Sequence, residues 1–313
     1  MSVHARPHLP AMGPRECLHG RYGGDGDSDL AVYPQENKSQ NRRAFRPMPS
    51  ALATGGRAAV PRWRPKVLDR RFVTEYRIVT AESQMGTSDQ VDDKYYQAVP
   101  PRSLGERLTI RARDCIYEDF IRHCRPQPDD TILDIGVSDV VNDAANMLER
   151  KYPYPDRITA LGLGEGQEFR AAFPKTGYVR IEPNQRLPFP DQSFAIAASN
   201  AVLEHVGSPA HQALLVSELM RVARKVFVSV PHRYFPVEHH TAIPFLHFWD
   251  RSFATACRVL GKSEWADERN LILMSRGRLK SLAPPQAVIA NTGIKLGPLS
   301  SNLMLFVDQA KTP

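Results

Sequence analysis

From Leu104 to Asp308 short apolar runs alternate with amphipathic helical stretches, and no other feature of this 313-residue chain restricts its fold as much. Leu104–Cys124 reads as a helix, with Leu108, Ile110, Ala112, Ile116, Phe120 and Ile121 recurring at helical spacing. PQPDD breaks it. TILDI (131–135) is a short buried strand closed by Gly136, and 140–151 is helical. RITALGL (157–163) is a second strand, 165–173 a short helix and 178–181 a third strand. FAIAAS (194–199) is a fourth strand, 209–224 a clear helix, and KVFVSV (225–230) a fifth strand stopped by Pro231. Strands and helices alternating at this spacing imply βαβ units and a parallel sheet. The chain ends differently. Residues 293–299 and NLMLFVD (302–308) are joined by too few residues for a parallel crossover, so they are expected to pair as an antiparallel hairpin. The expected fold class is α/β, a Rossmann-like seven-stranded sheet that is mostly parallel.

Residues 1–68 mix Pro, Gly, Arg and Ser and keep no apolar period for long, so they bury too little to offset their ordering entropy. RFVTEYRIVT (71–80) alternates and reads either as a short strand or as an adhesive piece of the leader. The expected organisation is a disordered leader over 1–84, a helical segment over 85–130 and an α/β domain over 131–313. Either translation starts later, for example at Met85, or the leader is a targeting or docking arm; its acidic GDGDSD argues against a transit peptide. Charge is unevenly placed. Residues 1–84 hold 14 Lys/Arg against 8 Asp/Glu, and the rest holds 27 against 26. A nearly neutral body ranks nucleic acid low as a substrate. No apolar run approaches the roughly 18 residues of a membrane span, and no signal-peptide core is evident. Four cysteines without a CxxC pair fit a reducing, cytoplasmic setting.

In TILDIGVSD an apolar strand ends in an acid and a glycine before a helix. Ligands of open α/β sheets bind at such strand ends. Gly136 lets the backbone approach a ligand, and Asp134 can hold the loop or accept from a ligand amino group. The segment LPFPDQSFAIAASNAVLEHV (187–206) carries a Pro-rich turn, in which Asp191 is expected to accept backbone hydrogen bonds, and a strand leaving at Asn200. This segment resembles the class I methyltransferases of the ubiquinone/menaquinone-biosynthesis type, which carry LPFPDxSFD before the fourth strand and EHV after it. Five parallel strands and a closing hairpin are the sheet of that class. PHRYFPVEHHTAIPFLHFW (231–249) resembles a bacterial subgroup associated with cell-surface glycan or lipid modification.

The resemblance covers about 105–308 and implies S-adenosyl-L-methionine as cofactor and a small-molecule, glycan or lipid-linked acceptor, methylated at oxygen. It places Asp134, Gly136, Gly162, Glu165, Glu182 and Asn200 at the cofactor. His205 and His232 are the candidate bases, because imidazole accepts a proton near neutral pH; the other reading of His205 is a helix-entry residue that packs or caps. Arg233, Glu238 and His240 are candidates for acceptor binding. The other reading of that loop is structural, with Arg233 and Glu238 paired to each other or to backbone. His232, His239, His240 and His247 match no established ligand spacing, and no metal is expected.

Two departures stand out. The glycine-rich loop after the first strand is GVSDV, retaining only Gly136. The acid that grips the ribose from the second strand falls at Gly162, with Glu165 three residues on, so either Glu165 substitutes or backbone holds the ribose. GLGEG (162–166) is not a dinucleotide fingerprint, because it follows the second strand and Gln167 takes the third glycine's place. These departures motivate an alternative, a degenerate methyltransferase fold that binds a partner without catalysis.

Overall fold

A computed structural model describes residues 104–139 and 145–311. The leader over 1–84 and the possible strand at 71–80 lie outside the described residues. The described elements are α1 (Leu104–Cys124), β1 (Ile132–Ile135), α2 (Met147–Lys151), β2 (Ile158–Gly162), α3 (Gln167–Ala172), β3 (Gly177–Arg180), β4 (Phe194–Asn200), α4 (Pro209–Val222), β5 (Ala223–Pro231), α5 (Asp250–Val259), α6 (Arg276–Leu282), β6 (Val288–Leu296) and β7 (Leu299–Asp308). They build one seven-stranded sheet of order β3-β2-β1-β4-β5-β7-β6. The first five strands pair in parallel, and β7 runs antiparallel between β5 and β6. This is the Rossmann-like methyltransferase sheet expected from the sequence.

Alternation along each strand divides its side chains between two faces. Leu133, Ala197, Val226 and Leu305 meet Val216 and Leu219 of α4. Ile132, Ile196, Phe227 and Phe306 meet Ile116 and Phe120 of α1 and Leu148 of α2. Phe120 is fully buried, edge-on to Phe227 with ring centroids 5.6 Å apart. Truncating it to Ala would remove about 3–5 kcal/mol. Helix α4 starts where Ser208 accepts from the His211 amide at 3.1 Å, with Pro209 at its first position. Asp134 belongs to the α1 face with Ile132, alternating with Leu133 and Ile135.

Two boundaries differ from the sequence reading, and two helices are additional to it. Of the helix expected over 140–151, residues 140–144 lie outside the described residues, and α2 starts only at Met147. Asn146 has φ 53°, and its side chain clamps the Ser138 backbone by two 2.9 Å hydrogen bonds, so it serves the loop. Strand β6 begins at Val288, ahead of Gly293, which sits at an irregularity in the β6–β7 register with φ 74°. Helices α5 and α6 were not anticipated. Phe253 and Cys257 of α5 pack with Ile243, Trp265 and Leu271 in a separate small core. Among the described residues no helix is long and apolar enough to cross a membrane.

Candidate functional site

After β1 the chain turns to β2 and β3 on one side and returns to β4 on the other. The strand order therefore reverses between β1 and β4, and open α/β sheets bind ligands at that point. A narrow cleft with about 30 Å³ of room, partly open to solvent, lies there. Asp134, Gly136, Ser199 and Asn200 line it from the strand ends, with Arg113 and Phe120 of α1 on the opposite wall. Asn200 is held by Ser229 Oγ, which donates to its Oδ1 at 2.5 Å. Three of the expected cofactor residues, Asp134, Gly136 and Asn200, thus meet in one cleft.

Asp134 is buried. Burial, then the adjacent Glu149 carboxyl, pushes its pKa well above the usual carboxylate range. Glu149 on α2 is pushed up by burial to about 7, and its buried carboxyl faces the Asp134 carboxyl. The pair therefore holds a proton at neutral pH unless a cation joins it. Gly136 has φ 90°, and a β-carbon there would lie 2.1 Å from Val202 Cγ2. Its missing side chain makes room for the loop after β4.

The end of β2 is built differently from the resemblance. A β-carbon on Gly162 would meet the Tyr178 hydroxyl at 2.4 Å, and one on Gly166 would meet the same ring. The Tyr178 hydroxyl donates to the Gly164 carbonyl at 2.8 Å, and Arg170 stacks on the ring 4.6 Å from its centroid. Asp139 accepts from the amides of Gly166 (2.9 Å) and Phe169 (3.0 Å), tying the loop after β1 to the start of α3. Glu165 is exposed and paired with Arg180, and Glu182 is exposed beyond β3. Neither lines the cleft.

The LPFPD segment has a structural explanation. Arg221 of α4 donates to the carbonyls of Leu187 and Phe189, to Asp191 and to Glu218, while Glu218 accepts from the Leu187 amide. Asp191 therefore takes a guanidinium partner and not the backbone amides expected of it. The hydrogen bonds from Arg221, with smaller help from its charge, hold the Glu218 carboxyl below its usual range.

The loops after β4 and β5 converge. His205 Nδ1 donates to the Asn270 carbonyl at 2.8 Å, and its Nε2 stands 3.0 Å from His240 Nε2. Burial and the His240 charge drop the His205 pKa to about 3. His240 stacks on Trp265 and donates from Nδ1 to Glu238 Oε1 at 2.9 Å. Burial opposes its charge, but the Glu238 carboxylate outweighs this and raises its pKa. Glu238 also accepts from the His240 amide and from the Thr241 amide and hydroxyl, so it organises its own turn. Arg233 pairs with Asp250 at 2.6 Å and with the Phe248 carbonyl; the Arg233–Glu238 pair considered from sequence does not form. His232 donates from Nδ1 to the Ser300 carbonyl at 3.2 Å, and burial lowers its pKa. The expected base His205 and the expected acceptor residue His240 are thus direct neighbours, while His232 lies with Arg233 and Glu238 in a second, smaller pocket.

Two residues escaped the sequence reading. Arg113 shares a helical stripe with Ile116 and Phe120, and a charge on an otherwise apolar stripe was the available signal. Glu204 is fully buried with both carboxyl oxygens unpartnered, and burial pushes its pKa to about 7. It stands inside the quoted EHV motif, where its exposure was not legible.

No protein-family model matches the sequence, and a search of curated proteins found no match. Solved structures of similar fold include magnesium protoporphyrin IX methyltransferase from Synechocystis, at 12% identity over 70% of this chain and 92% of that one, TM-score 0.44. A SAM-dependent methyltransferase from Aquifex aeolicus is 11% identical over 70% of this chain and 95% of that one, TM-score 0.39. A structure from Rhodobacter sphaeroides named for zinc-dependent alcohol dehydrogenases is 9% identical over 60% and 86%, TM-score 0.42.

Proposed function

We propose that this chain transfers a methyl group from S-adenosyl-L-methionine to an oxygen of a small-molecule, glycan or lipid-linked acceptor, in a cytoplasmic setting. The carrying observation is the cleft at the reversal point between β1 and β4, floored by the buried acid Asp134 and faced by Arg113. The donor set fits the amino-acid half of the donor: a buried carboxyl suits an ammonium group, and a guanidinium suits a carboxylate. At the end of β2 the ribose acid is absent and Tyr178 fills its place, so ribose recognition would fall to backbone there, and Glu182, exposed beyond β3, is the remaining candidate acid for the adenine. S-adenosylmethionine supplies a methyl already activated on sulfur.

The protein's own work is then orientation, exclusion of water and proton removal. Phe120 and Ile116 of α1 give the cleft an apolar wall. His232 is the better placed base. With Nδ1–H given to Ser300, the neutral ring keeps its lone pair on Nε2, whereas His205 Nε2 is engaged by His240. The acceptor side is rich in exposed apolar groups, Tyr234, Phe245, Leu246 and Trp249, which suits a lipid-linked or sugar-bearing acceptor. Arg233, Glu238 and His240 shape this loop from within.

Calorimetric titration with S-adenosylmethionine tests the reading. Binding is expected, and Asp134→Asn and Asn200→Ala should weaken it at a temperature where melting curves show both variants still folded. Absence of donor binding by the folded wild type would leave the alternative, a non-catalytic binding module.

A further inference from the structure

Glu204, His205 and His240 come together from two loops that the sequence keeps far apart. One carboxylate oxygen or imidazole nitrogen from each lies within 4.8 Å of the other two. The two Nε2 atoms stand 3.0 Å apart. Both rings are fixed from behind at Nδ1, His205 by the Asn270 carbonyl and His240 by the Glu238 carboxylate. Histidines that ligate metals are oriented in this way, through a carbonyl or carboxylate on the other ring nitrogen. Nitrogens bound to one tetrahedral Zn²⁺ at about 2.0–2.1 Å lie about 3.4 Å apart, so the two imidazoles need separate by only a few tenths of an ångström to share an ion.

The third ligand carries an independent sign. Glu204 is 1% exposed, and neither of its carboxyl oxygens has a hydrogen-bond partner. Its backbone is fixed, with its carbonyl accepting from the Ile272 amide at 2.8 Å. A carboxylate buried there with no hydrogen bond to either oxygen is disfavoured. A bound cation supplies the missing contact at the point where the two imidazoles converge.

We propose that Glu204, His205 and His240 form a binding site for a divalent transition-metal ion of the Zn²⁺ type. Glu238 and the Asn270 carbonyl are its positioning groups. Two imidazoles and one carboxylate favour such an ion over Mg²⁺ or Ca²⁺, which prefer all-oxygen sets. Three protein ligands leave a further coordination position for water or a bound molecule. The route in is the smaller pocket, where Glu204 and Glu238 lie beside His232 and Arg233. The site stands whether or not the chain transfers methyl groups.

The test uses the full chain, stripped with a chelator and titrated with Zn²⁺, and with Co²⁺ for its visible absorption, while melting temperature reports on the fold. One Zn²⁺ per chain is expected, with a tetrahedral Co²⁺ spectrum and no competition from Mg²⁺. His240→Ala should lose the ion. Glu238→Gln keeps all three ligands and should weaken binding by about 10–100-fold. His205 packs inside the loops, so Glu204→Gln is the decisive variant: it preserves shape, stays folded and loses the ion. The proposal is overturned if the folded wild type takes up no Zn²⁺. It is equally overturned if Glu204→Gln and His240→Ala bind as tightly as wild type, which would place the ion elsewhere, for example on His4, His8 or His19.

Discussion

The hydroxyl of Tyr178 stands 2.4 Å from where a β-carbon on Gly162 would lie, so the end of β2 has no room for the acid that the resemblance calls for. Restoring that acid by Gly162→Asp should therefore destabilise the fold by about 1–3 kcal/mol through overpacking and leave donor affinity no better. Combining it with Tyr178→Ala opens the space and should recover part of the overpacking loss. The measurements are chemical denaturation and donor titration on the single and double variants. A stable Gly162→Asp with tighter donor binding would show that Tyr178 swings aside readily.

Gly136 makes a second test of packing against ligand approach. Its φ of 90° and the 2.1 Å approach to Val202 Cγ2 mean that any side chain there first strikes the loop after β4. Gly136→Ala should destabilise by at least about 1–2 kcal/mol from backbone strain alone, plus the clash. Val202→Ala in the same chain should relieve the clash but not the strain. If Gly136→Ala instead keeps its melting temperature and loses only donor affinity, the glycine serves the ligand.

Arg221 explains why LPFPD is legible in sequence at all. Its guanidinium is largely buried, and it joins Glu218, Asp191 and two carbonyls of that segment. Arg221→Ala strands a buried carboxylate and should lower stability by about 2–4 kcal/mol. Asp191 is 70% exposed, so Asp191→Ala should cost under about 1 kcal/mol. Urea melts of the two variants give the comparison, and equal losses would contradict this ordering.

The sheet was readable because each strand is an apolar run and each crossover a helical period. The hairpin was readable because a short connection forces antiparallel pairing. What failed has local physical causes. Asn146 has φ 53° and clamps Ser138, so α2 starts late. Gly293 is an interior irregularity of β6, where the Ser301 hydroxyl accepts from the Ile294 amide, so it did not mark the strand's start. In the site, Asp134 and Asn200 were legible because they end strands. The Glu204–His205–His240 cluster was not, because ligand spacing rules read one segment and this trio joins two. Tyr178 was missed because a glycine reports an absence, not the neighbour that fills it.

Stability should depend on pH through Glu149. Its folded pKa of about 7 lies above the ordinary glutamate value of 4.5. The folded state therefore keeps a proton that the unfolded chain releases as pH rises past about 4.5. The stability this group contributes is full below that pH, falls as pH rises and is gone above about 7. The fall is on the order of 2–3 kcal/mol, shared with Asp134. Glu149→Gln should flatten that segment of the stability–pH curve and be the more stable form at pH 8. An unchanged curve would mean that Glu149 ionises freely in the folded chain.

The loop after β5 separates groups that hold it from groups that face outward, and this sets the last prediction. Arg233 ties the loop together through Asp250 and the Phe248 carbonyl, and its own amide donates to the Met274 carbonyl. Its Nε is buried without a partner, so the side chain is already desolvated for the sake of those contacts. Arg233→Ala should therefore lower stability by about 1–3 kcal/mol and depress turnover only as a consequence. Trp249 and Phe245 are 65% and 56% exposed. Replacing either by Ala should change stability by no more than about 0.5 kcal/mol. If these rings wall the acceptor site, the same variants should raise the KM for an apolar or lipid-linked acceptor and leave donor affinity alone. Thermal melts and donor titration on all three variants need no acceptor. A large melting-temperature loss in Trp249→Ala would mean that the exposed rings pack structurally, and the acceptor would then have to be sought on the other side of the cleft, under α1.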